Sequence, residues 1–340
     1  MKRDLLVATT VLFLATIITI AIPSVKASPG NLWGVTGASG GTGPYPGAYS
    51  EVFKVSTATG VVTMVNDKLS NALYGDIAMT PHGSLYTTGA DDIIQAPNGV
   101  WVINFNDFYR LDPATGDVIT KWSNVFTDAS FHRVNALAAE SDTSLLAIEG
   151  GGVGISWGYP TGPRLLRITL DAAGNFLSIT SLGTIAAPGA ASCLSDGDID
   201  RNRTSGKWYA GFWANAGSEM LELNLANPSA SALISQSNIK WQGGFAFDAH
   251  GNAYAGSWAE KNLYSVNVIG GGSSVIWDLS SYLQGNIYGL SSSALPVGGF
   301  WVPTNKFELV APWVTLASFL MASIVFASVA YVRHRKKQQN

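Results

Sequence analysis

Apolar and polar positions alternate with a period of two in five stretches of the chain, each closed by a polar turn and followed by a second alternating run. The two sharpest copies are Val52-Phe53-Lys54-Val55-Ser56-Thr57-Ala58-Thr59-Gly60-Val61-Val62 and Phe108-Tyr109-Arg110-Leu111-Asp112-Pro113-Ala114-Thr115-Gly116-Asp117-Val118. Looser copies start at Leu165, Met220 and Leu263. Such alternation marks half-buried strands, and Asp-Pro or Thr-Gly between two runs marks a hairpin turn. Counted from Phe53, Tyr109, Leu166, Leu221 and Tyr264, the copies lie 56, 57, 55 and 43 residues apart.

A second strand pair accompanies each hairpin. Its clearest copies run from Tyr74 to Gly89 and from Gly243 to Gly256; a third spans Gly197 to Gly211, and a degenerate fourth spans Arg133 to Gly150. Two strands here and two in the hairpin make a four-stranded unit of about 45–55 residues, the size of a propeller blade. The array starts in mid-unit, at the second-strand type Leu32–Gly37, and ends on an opening strand at Ile287–Ser291. Pairing these two ends completes one blade and removes two open sheet edges.

The expected fold is therefore all-β, a five-bladed propeller over residues 28–295. Six blades are the alternative, if Pro97–Ile103 supplies an additional strand pair. A β-sandwich does not account for copies at near-constant spacing. The blades resemble the secreted β-propeller repeats of the NHL, YVTN or quinoprotein-like kind. That resemblance implies a blade architecture and no particular activity.

The two ends of the chain have a different character. Lys2 and Arg3 precede the uncharged Leu5–Ile22, and Val25-Lys26-Ala27 supplies small residues for cleavage before Ser28, so residues 1–27 read as a signal peptide. Leu309–Val332 is uncharged over 24 residues, about 36 Å as a helix and enough to cross a bilayer. Arg333, Arg335, Lys336 and Lys337 follow it, which places residues 333–340 in the cytoplasm, residues 28–308 outside and 296–308 as a linker. The run from Val302-Pro303 through Lys306 to Ala311-Pro312-Trp313 resembles the C-terminal anchors of archaeal cell-surface proteins. It implies a location at the cell membrane and says nothing of activity.

Composition refines this picture. Only 13% of residues are charged and 47% are apolar, which excludes a disordered chain, and the single Cys193 excludes an internal disulfide framework. Residues 28–305 hold 21 acidic and 12 basic side chains, a net charge of −9. An acidic surface makes a poor partner for nucleic acid.

Candidate chemistry is sparse. Asp196-Gly197-Asp198-Ile199-Asp200-Arg201-Asn202 alternates carboxylates as a calcium loop does, but Arg201 stands where an EF-hand needs Gly and Lys207 where it needs Glu. In the repeat, Asp198 is the counterpart of Asp76. Opening strands line a propeller's channel, so Asp76 and Asp198 are candidate cation ligands there, with calcium as the ion; hydrogen bonds to neighbouring blades would instead make them structural. No other cofactor is expected. Asp112–Gly116 resembles the tryptophan-docking repeat of quinoproteins, but Thr120 occupies the tryptophan position.

His82 and His250 fall in equivalent turns and His334 in the tail, which leaves His132 alone and argues against a histidine metal site or triad. An extracytoplasmic hydrolase or lyase would need converging acids, for which Asp76, Asp198 and Glu149 are the nominees. Trp33, Tyr86, Tyr209 and Tyr254 recur in the second strands and are expected to pack blade on blade. Trp157 and Tyr159, within the glycine-rich Gly150–Gly162 insertion, suit contact with a glycan or a surface protein. Asn202-Arg203-Thr204 is a glycosylation sequon. The favoured function is non-catalytic binding or scaffolding at the cell surface.

Overall fold

The computed structural model describes residues 31–37, 49–69, 73–90, 93–95, 101–103, 106–126, 134–149, 163–185, 197–214, 217–240, 242–257 and 259–292, with residues 334, 335, 337 and 338 near the C-terminus. The chain divides into two compact units, Met1–Val297 and Gly298–Asn340. Residues 1–27, the linker 296–308, the apolar segment 309–332, and Trp157, Tyr159 and Asp196 lie outside the described residues. Among the described residues no helix is long and apolar enough to cross a membrane.

The first unit is a five-bladed β-propeller. Blade 1 combines β1 (Asn31–Thr36), β2 (Ser50–Ser56) and β3 (Val62–Leu69) with β22 (Ile287–Ser292) from the far end of the array. Blade 2 contains β4 (Leu73–Met79), β5 (Leu85–Ala90), β8 (Asp107–Leu111) and β9 (Val118–Trp122). Blade 3 contains β10 (Val134–Ser141), β11 (Ser144–Glu149), β12 (Arg164–Leu170) and β13 (Phe176–Thr184). Blade 4 is built from β14 (Gly197–Arg201), β15 (Trp208–Ala214), β16 (Gly217–Leu223) and β17 (Ala232–Ser237). Blade 5 is built from β18 (Gln242–Phe247), β19 (Ala253–Ser257), β20 (Asn262–Val266) and β21 (Ser273–Asp278).

The expected closure is present: β22 pairs antiparallel with β1, from Leu32 opposite Ser292 to Thr36 opposite Ile287. Trp101–Ile103 does form a strand, β7, but it pairs only with β6 (Ile93–Gln95) as a separate hairpin between β5 and β8. This insertion adds no sixth blade.

The repeat positions are equivalent in register. Phe53, Tyr109, Leu166, Leu221 and Tyr264 each stand in the third strand, opposite Gly34, Thr87, Ala147, Ala210 and Ala255 of the second. Small residues in the second strand leave room for large ones in the third, and the same choice recurs in every blade. Gly60 and Gly116 close the Thr-Gly turns at φ of 68° and 73°, a left-handed conformation that suits glycine.

Five apolar clusters of buried side chains fill the seams between blades. One joins blades 1 and 2 through Val35, Val52, Ile77 and Leu85, and another joins blades 3 and 4 through Leu146, Leu165, Trp208 and Phe212. The remaining three seal the seams of blades 2 and 3, 4 and 5, and 5 and 1. Trp33, Tyr86, Tyr209 and Tyr254 are all buried in these seams, as their recurrence implied. Aligned apolar seams make the ring the unit that buries the surface, because a single blade leaves both faces bare.

Candidate functional site

In each blade the opening strand (β4, β10, β14, β18 or β22) has the second strand on one side and no strand on the other. The five open edges face one another around the axis, β4 beside β10, β10 beside β14, β14 beside β18, β18 beside β22, and β22 beside β4. Every second residue of such an edge points an unpaired N–H at the channel, and a buried N–H without an acceptor is costly.

The register shows which amides these are. Ile77, Leu137, Ile199, Phe245 and Leu290 occupy the same place in their blades, opposite Thr87, Ala147, Ala210, Ala255 and Gly34. All five of their N–H groups donate to only two side chains. Asp76 Oδ1 accepts from Ile77 at 2.7 Å and Oδ2 accepts from Leu137. Asp198 Oδ1 accepts from Ile199 at 2.6 Å, and its Oδ2 accepts from Phe245 at 2.7 Å and Leu290 at 3.0 Å. Two carboxyl groups therefore satisfy one amide from each of the five blades.

The positions preceding these amides are Asp76, Ala136, Asp198, Gly244 and Gly289. Three of the five are small, which leaves space for the two carboxyls. A Cβ on Gly289 would stand 2.2 Å from Asp76 Oδ1 and 2.7 Å from Asp76 Cα.

Asp76 and Asp198 are fully buried and hydrogen-bonded to each other. Burial first, then the charge of Asp198 and the hydrogen bond to it, pushes the Asp76 carboxyl well above the usual carboxylate range. Burial also raises Asp198, against the opposing pull of its hydrogen bonds from Asp76, Phe245 and Leu290. Two carboxyls in contact cannot both stay charged in a dry site. Asp198 receives three amides and Asp76 two, so within the pair Asp198 is the better placed to carry a charge.

A second layer lies two residues further along, about 7 Å at strand rise. Asp200 Oδ1 accepts Arg201 N–H at 2.7 Å and Oδ2 accepts Phe247 N–H at 2.8 Å, while Ser291 Oγ accepts Met79 N–H at 3.0 Å. Burial pushes the Asp200 carboxyl up to about 6, against the pull of Arg203, the two amides and Ser292. The sequence shows Asp200 only as a member of the imperfect calcium loop and not as an axial residue. Its signal was the Asp198-x-Asp200 spacing, which puts both side chains on one face of a strand.

The cation reading of Asp76 and Asp198 meets this geometry directly: the oxygens are engaged by amides of neighbouring blades and by each other, which is the structural role. Among the described residues no group of three or more His, Cys, Asp or Glu is arranged to hold a metal ion. Glu149, the third acid nominated for catalysis, lies in blade 3 and forms a two-pronged ion pair with Arg164, whose Nη2 donates to Oε1 at 2.9 Å. His82 sits in the turn after β4 and pairs with Asp142 of blade 3, and His250 sits in the equivalent turn of blade 5.

No protein-family model and no curated protein sequence matches the chain. Solved structures share its fold. A PQQ-bound aldose sugar dehydrogenase from Streptomyces coelicolor is 16% identical over 60% of this chain and 61% of that one, with a TM-score of 0.39. TolB from Acinetobacter baumannii is 11% identical over 78% of this chain and 67% of that one, at 0.41. A protein of unknown function from Bacteroides thetaiotaomicron is 13% identical over 80% and 73%, at 0.44. The chain spans about six tenths of the length of the sugar dehydrogenase. At these identities the likeness is one of fold alone.

Proposed function

We propose that the protein is a non-catalytic binding or scaffolding propeller, held outside the cell by the apolar segment 309–332 after removal of residues 1–27. The observation that carries the non-catalytic reading is the use of its axial acids: Asp76 and Asp198 tie five blades together through backbone amides and serve the fold. The distribution of connections supports a binding face. Second and third strands are joined by residues 37–49, 91–106 and 150–163 in blades 1 to 3, and by only 215–216 and 258–261 in blades 4 and 5. All five connections leave the sheets at the same end of the ring, so the three long ones belong to adjacent blades on one face. Binding surfaces are commonly built from such loops on a rigid scaffold. Trp157 and Tyr159 fall in the third of them and are the proposed contacts for a glycan or a neighbouring surface protein.

Two measurements test this reading. Full-length protein in detergent is applied to a glycan array, with the double variant Trp157→Ala/Tyr159→Ala beside it; retention of a glycan by the parent and its loss in the variant is expected. Turnover of any glycan by the parent would replace binding with catalysis. Protease added to intact cells is expected to remove the propeller and leave the basic tail, and a protected propeller would overturn the topology.

A further inference from the structure

The turn between β14 and β15 carries Asn202-Arg203-Thr204, the acceptor pattern for N-linked saccharide. Resting on the extracytoplasmic reading above, we infer that Asn202 Nδ2 is a glycosylation site whose first sugar is received by the cleft between blades 4 and 5.

The turn is held by the oxygen of this side chain. Asn202 Oδ1 accepts Thr204 N–H at 3.0 Å and Ser205 N–H at 3.1 Å, and Gly206 N–H donates to Asn202 O at 2.7 Å. A carboxylate would serve equally: in the equivalent turn of blade 5, Asp248 Oδ1 accepts His250 N–H at 2.8 Å and Asn252 N–H at 2.9 Å. The turn therefore explains an oxygen at this position and leaves the amide nitrogen unexplained. Among the described residues Nδ2 makes one long contact, 3.5 Å to Gly251 O, which occupies one of its two N–H groups.

Asn202 borders a cavity of about 340 Å³ between the two blades. Asn252 and Asn267 line it with polar groups, Val266 and Ile269 with apolar ones, over Tyr209 and Phe247, and among the described residues no charged side chain contributes. A neutral wall with both amide and hydrocarbon surface suits a sugar ring, which presents hydroxyls at its edge and C–H groups on its faces. Gly251 has a φ of 83°, and a Cβ there would stand 2.9 Å from Thr204 Oγ1, 3.0 Å from Asn202 Oδ1 and 3.3 Å from Asn202 Nδ2, so a side chain at this position would crowd the acceptor. Arg203, Thr204 and Ser205 are exposed and Asn202 itself is half-buried, so the turn that carries the acceptor faces solvent. The donor is a lipid-phosphate-linked saccharide supplied by a transferase. The bond from Nδ2 to the sugar C1 forms as the bond from C1 to the phosphate oxygen breaks, Nδ2 gives up one proton to the transferase, and the lipid phosphate leaves.

The experiment is mass spectrometry of the full chain from its native cells, digested with a protease other than trypsin because Arg201 and Arg203 flank the site. The expected result is a peptide heavier by a saccharide on Asn202, unmodified in Thr204→Ala and modified again in Thr204→Ser. Thr204 holds the turn through its backbone N–H, so the alanine variant keeps the turn and tests the acceptor pattern alone. An unmodified Asn202 in protein that protease reaches on intact cells overturns the inference and leaves the surface reading standing. A propeller protected from that protease removes both.

Discussion

Asp200 gives the propeller a stability that rises in mild acid. Its carboxyl titrates near 6 in the folded state, against about 3.9 in an unfolded chain. A carboxyl raised by folding binds its proton more tightly in the folded state, so its contribution is complete below the unfolded value and is lost as pH rises through 6. The whole effect is about 3 kcal/mol, and roughly 1.4 kcal/mol of it lies between pH 7 and pH 5. Asp76 and Asp198 are raised as well and act in the same direction. The carboxyls lowered by hydrogen bonds, Asp171, Glu260 and Asp278, work the other way, but only as pH falls through their depressed values, outside this window. Thermal unfolding of the full chain should therefore give a Tm higher at pH 5 than at pH 7, with roughly 3–5 °C of the gain due to Asp200. Asp200→Asn cannot titrate, and its Tm should climb less over the same interval by that amount. Parallel Tm–pH lines for the parent and the variant would refute the assignment, and a parent Tm that falls from pH 7 to pH 5 would refute the sign.

Two further outcomes follow from the same axis. Gly289→Ala forces a methyl against the Asp76 backbone and should cost about 3 kcal/mol, read as a Tm drop of roughly 6–12 °C; a silent substitution would mean that the channel is wider than described. Millimolar calcium against a chelator should leave the Tm unchanged, because the Asp76 and Asp198 oxygens already hold amide protons, and a shift of several degrees would restore the cation reading.

Much of the ring is legible in the sequence because each blade repeats the same local choices. The large residues at Phe53, Tyr109, Leu166, Leu221 and Tyr264 recur at spacings of 43 to 57 residues, and the smaller ones that face them recur with them. The unequal ends at Leu32 and Ile287 announce the shared blade. The β6–β7 hairpin was legible as strand and not as insertion, since Trp101–Ile103 has a strand's composition and only pairing decides which sheet it joins. The axial acids were legible in place but not in role. Alternation puts Asp76 and Asp198 in the channel, whereas the five amides that they accept come from five strands up to about two hundred residues apart, a convergence that depends on the relative register of all the blades. The role of Asp200 was hidden for the same reason: its partner Phe247 sits one blade away, and no local pattern around either residue announces the other.

The pairing of β22 with β1 sets a schedule as well as a shape. Leu32 and its partner Ser292 are separated by 260 positions, so at synthesis rates of about 5–20 residues per second the first strand waits roughly 13–50 s for its mate. Through that interval the edge of β1 is an open template, and the Leu290 amide has yet to reach Asp198. The topology is one of high contact order, in which the last strand of the array completes the first sheet begun. Closure of this ring is therefore a late event: it waits for the strand nearest the proposed anchor.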